Sequence, residues 1–209
     1  MWTRRLNDVT LHEAFTPRGG GAEPGPAVTA AAGAMWIDLH DAVTTKAGRY
    51  VQGGGCADVG VAGLIQSGGF GVHSKGFGTA ASSLLEAEIV TADGQARVVN
   101  AHTDPDLFWA IKGGGGGSFG AVTRLTLRTH ALPEYFGWSW GKVRATSDQA
   151  FRDLLERFSG FYAQHLFNPH WGEQVHVGPG NLFEISMACQ GLAADAIESG
   201  VETLSLIHI

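Results

Sequence analysis

The sequence predicts an α+β fold in two parts, and three observations support that prediction. Strand patterns and helix patterns both occur along the 209 residues. A glycine-rich segment, GGGCADVGVAGLIQSGGFG, occupies residues 53–71 and sets clusters of glycine among small apolar side chains. Near Leu132-Pro133 aromatic residues replace glycine, which marks a boundary between a first part at 1–132 and a second part at 133–204.

The first part begins with one strand and one helix before the glycine-rich segment. Ala27–Ala32 is predicted as a strand. Apolar residues then recur at helical spacing and predict a helix over Met35–Lys46, which Gly48 is placed to end. Arg49–Val51 follows as a short strand that leads into the glycine-rich segment.

A hairpin and a helix are predicted after the glycine-rich segment. Strands at Leu84–Ala92 and Gln95–Asn100 are joined by Asp93-Gly94, which favours a type I′ turn because both central residues of that turn need φ > 0. Asp104-Pro105-Asp106 is typical of a helix start, with an acceptor at the N-cap and proline in the first turn. The helix itself is predicted at Leu107–Lys112.

The remaining elements complete the first part and form the second. Ala121–Arg128 is predicted as a partly buried strand. In the second part, Ser147 is the expected N-cap of an amphipathic helix. Gln174–Val177 and Leu182–Gln190 are predicted as neighbouring strands joined by a turn at 178–181.

Composition and charge exclude several classes of partner. Glycine makes up 31 of 209 residues, hydrophobic residues 44% and charged residues 16%, which is typical of a glycine-rich globular protein. The formal net charge of −6 argues against a nucleic-acid partner. No apolar run approaches the ~20 residues that span a bilayer, so no membrane partner is expected. The N-terminal residues lack the apolar region of a signal peptide, and the compartment stays undetermined, with the cytoplasm as the default.

The glycine-rich segment resembles the second FAD-binding segment of the vanillyl-alcohol-oxidase/PCMH flavoproteins, in the berberine-bridge-enzyme-like branch. The residues that carry the resemblance are Gly55-Cys56, Val59–Gly63 and Gly68–Gly71. Two further blocks agree in order and spacing, KGFGTAASSLLEAEIVTADG at 75–94 and DPDLFWAIKGGGGGSFGAVTRLTLRTH at 104–130. The resemblance implies a partial PCMH-type FAD-binding domain, its second subdomain, followed by the start of an antiparallel-sheet substrate domain.

The resemblance also implies an FAD-dependent oxidoreductase. Such an enzyme transfers a hydride from a small alcohol, sugar or natural-product substrate to flavin N5, and an oxidase then reduces O2. Val59 matches a position that faces the flavin, where a small residue goes with access of O2, so an oxidase is favoured over a dehydrogenase. The alternative from another class is a truncated, non-catalytic fold without productive flavin binding. A nicotinamide-dependent Rossmann enzyme fails on motif order.

Residues of three blocks are candidates for cofactor binding by this resemblance. Cys56 matches the cysteine that many relatives bond to flavin C6, although a cysteine among glycines is also common as a small buried residue. Whether the bond forms here is left open, and for each glycine a purely conformational role is the alternative. The candidates are Gly54, Gly55, Cys56, Val59, Gly60, Gly63, Gly68, Gly69, Gly71, Thr79, Gly120 and Val122.

The second part supplies only weak candidates for substrate chemistry. Glu173 and Gln174 open strands that in relatives cover the flavin, and a structural role is the alternative for both. His170 and His176 have neither the spacing nor the partners of a zinc site, so no metal is expected.

The sequence further suggests a fragment. Relatives carry a Gly-Gly-His-Ser-type loop upstream, which this chain lacks, and the family's general base is expected beyond the last residue. Residues 205–209 have no counterpart in the family pattern and are interpreted as a foreign tail.

Overall fold

A computed structural model describes residues 2–21, 23–195, 197, 198 and 202, and the predicted tail at 205–209 lies outside the described residues. The chain divides into two compact units. The first unit comprises the residues up to Gly71 together with Phe77–Leu132, and the second comprises Val72–Gly76 together with the residues from Pro133 onward. The chain passes between the units after Gly71, after Gly76 and after Leu132, so five residues that follow the glycine-rich segment join the second unit.

The first unit is built on a five-stranded antiparallel sheet with strand order β1-β2-β6-β4-β5, beside a two-stranded sheet of β3 and β7. Apolar side chains that alternate along the strands lie in the core on one face of the sheet, which is the usual pattern of a half-buried antiparallel sheet. The strands are β1 (Val9–Phe15), β2 (Gly25–Ala31), β3 (Arg49–Tyr50), β4 (Leu84–Val90), β5 (Ala96–Asn100), β6 (Ala121–Arg128) and β7 (His130–Ala131).

Short helices complete the first unit. A helix at Trp36–His40 (α1) continues as a π-helical segment at Asp41–Lys46, and α2 (Val61–Gln66) forms inside the glycine-rich segment. A helix at Ser74–Phe77 (α3) crosses the division between the units, a 3-10 turn follows at Ala80–Ser83, and α4 lies at Pro105–Ile111. The core that these elements enclose contains fully buried side chains from α1, α2 and the sheet, among them Trp36, Leu39, Ile65, Ile89, Leu125 and Leu127.

The second unit pairs a three-stranded antiparallel sheet with one long helix. The strands are β8 (Phe136–Arg144), β9 (Trp171–Gly178) and β10 (Leu182–Gln190), in the order β8-β10-β9. The helix α5 (Asp148–Phe161) begins at Ser147, whose hydroxyl accepts a hydrogen bond from the amide of Ala150 at 3.2 Å. Its apolar face and the inward side chains of β10 form a separate core, with Leu154, Phe161, Phe183, Ile185 and Met187.

The α+β class is confirmed, and the structure corrects three details. The hairpin between β4 and β5 is not type I′, because only Gly94 has a positive φ (78°); the Asp93 carboxylate instead accepts hydrogen bonds from Thr91, Gln95 and Arg97. Asp104 is the N-cap of α4, but its side chain makes no capping bond and its backbone is left-handed. The strand β8 was not predicted. Among the described residues, no helix has both the length and the hydrophobicity to cross a membrane.

Candidate functional site

The two ends of the glycine-rich segment pack against each other within the first unit. A Cβ at Gly71 would lie 2.1 Å from the carbonyl oxygen of Gly53, and a Cβ at Gly53 would lie 2.3 Å from the ring of Trp36. Side-chain carbons do not approach other atoms this closely, so both positions need glycine. Between them the chain forms a largely exposed loop at residues 54–59, which we call the Cys56 loop, followed by α2.

The C-terminal end of the Cys56 loop is hydrogen-bonded to the start of α1. The amide of Ile37 donates to the carbonyl of Ala57 at 2.9 Å, and the amide of Trp36 donates to the carbonyl of Val59 at 3.0 Å. These amides belong to the first turn of α1, where main-chain N–H groups have no partner within the helix. The loop carbonyls therefore accept the hydrogen bonds that the first turn of α1 cannot make within the helix, and the same bonds fix the C-terminal end of the loop.

The N-terminal end of the Cys56 loop lies near a histidine of the same helix. Burial lowers the pKa of His40, and a hydrogen bond to the backbone of Gly54 acts in the opposite direction. The ring also packs on Trp36, with ring centroids 5.8 Å apart. The sequence pattern placed His40 only on a helix face, and its position near the loop was missed.

The seven predicted glycines of the glycine-rich segment fall into two groups. At four of them a Cβ would meet no atom within 4 Å, so packing within the chain does not explain glycine there: Gly55, Gly60, Gly63 and Gly68. Gly68 differs from the other three, because its φ of +91° itself favours glycine and its N–H and C=O are bonded to Ile65 and Ala81. The remaining three of the seven are packed. A Cβ at Gly69 would lie 2.7 Å from the Cβ of Ala80, Gly71 is buried, and Gly54 meets Leu64 at 3.3 Å. For the packed group the conformational role is sufficient.

Cys56 and Val59 are both accessible from solvent. Cys56 is an exposed free thiol, whereas the other cysteine, Cys189, is buried and free. The Val59 side chain is 36% exposed, so it is not an ordinary core valine. The loop thus presents a thiol and a small aliphatic side chain beside open main chain.

Thr79 lies next to the glycine-rich segment through main-chain bonds. The amide of Ala80 donates to the carbonyl of Gly69 at 2.8 Å, and Thr79 itself is exposed. The Ser82 hydroxyl donates to the Thr79 carbonyl at 2.6 Å, so part of the polar capacity of this turn is used within the turn.

Gly120 and Val122 lie at the start of β6 in the five-stranded sheet. Gly120 has φ +150°, and a Cβ there would lie 2.4 Å from the carbonyl oxygen of Val90. The Val122 side chain is buried in the core. At these two positions only main-chain atoms are available to a ligand, which is the role the resemblance implies for them.

Glu173 lies in the second unit, and its carboxylate forms an ion pair with a lysine. The Lys75 ammonium lies 2.9 and 2.8 Å from the two carboxylate oxygens, and it also donates to the Leu166 carbonyl. Burial raises the pKa of Tyr162, and the Glu173 carboxylate that accepts its hydrogen bond raises it further. A carboxylate held by this ion pair is a structural group of the second unit rather than a free base.

Gln174 projects from the opposite face of β9 and is exposed. There it lines a depression of about 340 Å³ on the sheet with Trp140, His176, Glu184 and Ser186. Strand register places Trp140, Ser186 and Gln174 in one row across the three strands. Among the described residues, no group of three or more histidine, cysteine, aspartate or glutamate side chains is placed to hold a metal ion.

The residues of the first unit fit a flat cofactor such as a flavin. Gly55, Gly60 and Gly63 carry main chain into open space that a side chain would fill, and an exposed thiol lies beside them. Glycine permits such close approach of a ligand to the backbone. A thiol that is to bond to a ring edge needs this absence of bulky neighbours.

Comparison with known proteins identifies an FAD-binding family. A family model described as an FAD binding domain matches residues 12–100. The FAD-linked oxidoreductase malF of Malbranchea aurantiaca is 46% identical over 133 residues, which are 62% of this chain and 22% of malF. The FAD-linked oxidoreductase OXR2 of Pyricularia oryzae is 28% identical over 206 residues, 98% of this chain and 34% of OXR2. The chain thus spans between about a fifth and a third of the length of these two relatives, 22% of malF and 34% of OXR2.

Solved structures share the fold over nearly the whole chain. A VAO-type flavoprotein from Myceliophthora thermophila C1 has a TM-score of 0.80 at 26% identity and covers 97% of this chain and 36% of its own. A xylooligosaccharide oxidase from the same organism has a TM-score of 0.81 at 22% identity, covering 98% and 41%. The berberine bridge enzyme of Eschscholzia californica has a TM-score of 0.76 at 23% identity, covering 96% and 38%.

Proposed function

Because the chain belongs to the FAD-linked oxidoreductases that share the vanillyl-alcohol-oxidase fold, we propose that the whole protein oxidises a small molecule with FAD as its cofactor. FAD, when bound, accepts a hydride at N5 and passes the electrons on. The proposed substrate is an alcohol, a sugar or a natural product, and the proposed final acceptor is O2. The chain's own residues bind the cofactor, orient it and limit what reaches it.

One observation supports the cofactor assignment most strongly, namely the arrangement of the Cys56 loop. The C-terminal end of the loop is fixed by main-chain bonds to α1, and the loop presents an exposed thiol beside uncovered main chain. A cysteine kept only for packing would be buried, as Cys189 is. We therefore assign Cys56 to contact with the flavin ring and to its covalent attachment.

The open glycines are assigned to main-chain contacts with the cofactor. Gly60 and Gly63 lie at the start and in the first turns of α2, where backbone amides can donate to oxygen atoms of a ligand without any side chain. Gly68 follows the end of α2 with φ +91°, and its N–H and C=O are already bonded to Ile65 and Ala81, so its role is to place the chain. Gly69 and Gly71 take a supporting role, because their contacts are with the chain itself.

Val59 supports an oxidase rather than a dehydrogenase. Its side chain is small and partly exposed on the same loop as Cys56. A small residue at this point leaves room for O2 beside the ring, whereas a longer aliphatic side chain would fill that room. Oxidase activity is proposed on this residue alone, and an FAD-dependent dehydrogenase is the competing proposal.

No base is assigned within the second unit. Glu173 is neutralised by Lys75, and an amide such as Gln174 takes up no proton. The exposed row of Trp140, Ser186 and Gln174 offers an aromatic surface with a hydroxyl and an amide beside it. This row is assigned to contact with the substrate.

The experiment compares flavin retention by cysteine variants of the whole protein. Wild-type protein is expected to be yellow and to keep its flavin after denaturation. Cys56→Ala should release the flavin on denaturation, and Cys189→Ala should keep it because that thiol is buried in the second unit. Equal retention by both variants would remove the covalent assignment. A folded, colourless wild-type protein that takes up no FAD would favour the non-catalytic alternative.

A further inference from the structure

Two tryptophans, Trp138 and Trp140, project from the same outer face of the three-stranded sheet in the second unit. They are two residues apart on β8, and the two residues are 66% and 68% exposed. Of the two, only Trp140 lines the depression of about 340 Å³ on this face, together with Gln174 and Ser186 among others. The two indoles therefore have different surroundings, although strand and exposure are the same.

Trp138 reaches the depression through one hydrogen bond. Its indole N–H donates to the Ser186 hydroxyl at 3.0 Å. Strand register pairs Ser186 with Trp140 and Ala188 with Trp138, so this bond runs diagonally from β8 to β10. Trp138 is thus joined to a hydroxyl that lines the depression, while the indole itself lies outside the lining.

This bond determines what Ser186 can do toward a ligand. An indole N–H is only a donor, so the hydroxyl is the acceptor and its own proton stays available. Among the described residues, Ser186 has no second hydrogen-bond partner. Accepting one hydrogen bond polarises a hydroxyl and strengthens it as a donor to the next group. Ser186 is therefore prepared to donate to an acceptor atom of a molecule in the depression.

The rest of the depression favours a neutral ring. Its volume falls in the range of small-molecule sites, and Trp140 offers an exposed aromatic side chain on which a ring can stack. The Glu184 carboxylate in the lining is paired with the Lys142 ammonium at 2.6 Å, so it is already neutralised. A ring that carries an acceptor oxygen matches these groups better than an ion does.

We propose that this depression binds a neutral ring bearing an acceptor oxygen, that Ser186 is the specificity-determining donor to that oxygen, and that Trp138 is the positioning residue for Ser186. That the ring belongs to the oxidised substrate rests on the proposed function above. The binding step does not, because it concerns side chains of the second unit alone.

The first experiment examines the bond between Trp138 and Ser186 in the whole protein without a ligand. NMR of protein with isotope-labelled indole nitrogens follows each indole N–H, and Trp138→Phe and Trp140→Phe identify the two signals. Ser186→Ala should make the Trp138 N–H exchange faster with water, whereas Ser186→Thr keeps a hydroxyl and should preserve the wild-type rate. The matched control is Trp140→Phe, which should leave the Trp138 signal unchanged.

The second experiment titrates the whole protein with cyclohexanone, a neutral ring whose oxygen can only accept, and follows the shift of the Trp140 signal. Ser186→Ala should weaken binding about fivefold, the effect of losing one net hydrogen bond, and Ser186→Thr should restore it. Trp138→Phe should weaken binding about twofold, because the hydroxyl is then neither fixed nor polarised. Added to Ser186→Ala, Trp138→Phe should have no further effect. The control Trp109→Phe, at an exposed tryptophan of the first unit, should bind as wild type does.

Three results would overturn the proposal. A Trp140 signal that does not move up to the solubility limit of cyclohexanone would mean that the depression binds no such ring. An unchanged Trp138 N–H in Ser186→Ala would mean that the hydrogen bond does not hold the indole. Equal weakening by Trp138→Phe with and without Ser186 would mean that Trp138 acts on the ring directly. If the wild-type protein carries no flavin, the proposed function fails, and the titrations still decide the roles of Ser186 and Trp138.

Discussion

Replacing Lys75 with methionine removes the partner of a carboxylate that is largely shielded from water. The Lys75 ammonium contacts both oxygens of Glu173 at 2.8–2.9 Å and lies 5.2 Å from the centre of the Tyr162 ring. Methionine has a similar length and no charge, so the substitution removes the ion pair with little change in packing. The cost therefore reports what it takes to leave the Glu173 carboxylate without its partner.

The expected magnitude follows from the exposure of the two side chains. The Glu173 side chain is only 10% exposed, and removing one partner of a buried ion pair typically costs about 3–5 kcal/mol because the remaining charge stays buried. The Lys75 side chain is 23% exposed, so solvent already screens part of the interaction. We expect Lys75→Met to lower the free energy of unfolding by about 2–3 kcal/mol.

Urea unfolding followed by far-UV circular dichroism measures this cost. The control is Lys142→Met, which breaks an exposed ion pair with Glu184 in the same unit and should change the midpoint little. Adding Glu173→Gln to Lys75→Met should recover part of the lost stability, since it removes the buried charge. If Lys75→Met costs no more than Lys142→Met, Glu173 is not held as described and returns as a candidate base.

Three further predictions concern the first unit. In stopped-flow traces, Val59→Leu should slow reoxidation of the reduced flavin by O2 and leave substrate-driven reduction unchanged. It should have little effect on stability, because the side chain is partly exposed. Equal slowing of both half-reactions would contradict the proposed role of Val59. Gly71→Ala should destabilise the fold by more than about 2 kcal/mol, since its Cβ would lie 2.1 Å from a carbonyl oxygen. Gly63 lies in open space on a helix, so Gly63→Ala should be neutral or stabilising by about 0.5–1 kcal/mol. Thermal unfolding of both variants measures the difference. Burial lowers the pKa of His40 and of His130 in the folded state. Below the ordinary histidine pKa of about 6.5 the unfolded chain therefore binds more protons than the folded chain, and stability should fall as pH drops through 6. An unfolding midpoint that is flat from pH 7.5 to 5 would refute this.

The family was predictable because it depends on local sequence. The order of Gly55, Cys56, Val59 and the later glycines carries the resemblance, and a family model that spans this segment confirms it. Which glycines lie open was not predictable. Gly71 is packed because Gly53 passes beside it, and Gly69 because Ala80 does, and neither neighbour can be inferred from the pattern.

Long-range contacts account for what the sequence missed in the second unit. Lys75 and Glu173 are 98 residues apart, and a single lysine and a single glutamate have no periodic signal. The strand β8 alternates aromatic residues with small ones, but Gly137 and Gly141 lower its strand propensity. Gly137 is needed because a Cβ there would lie 2.6 Å from the Cys189 sulfur, a contact that only the folded sheet creates.

The flavin content of a Gly55→Val variant of the whole protein tests the central claim most directly. A Cβ at Gly55 meets no atom within 4 Å, and its backbone has an ordinary φ, so valine should fold there without strain. Its branched side chain would occupy the space in front of the Cys56 loop where we place the flavin. The control is Gly160→Val, at an equally open position on α5. We predict that both variants unfold at the wild-type midpoint. Gly160→Val should stay yellow, whereas Gly55→Val should lose most of its visible flavin absorbance. A folded Gly55→Val protein with full flavin content would contradict the assignment of this loop to the cofactor.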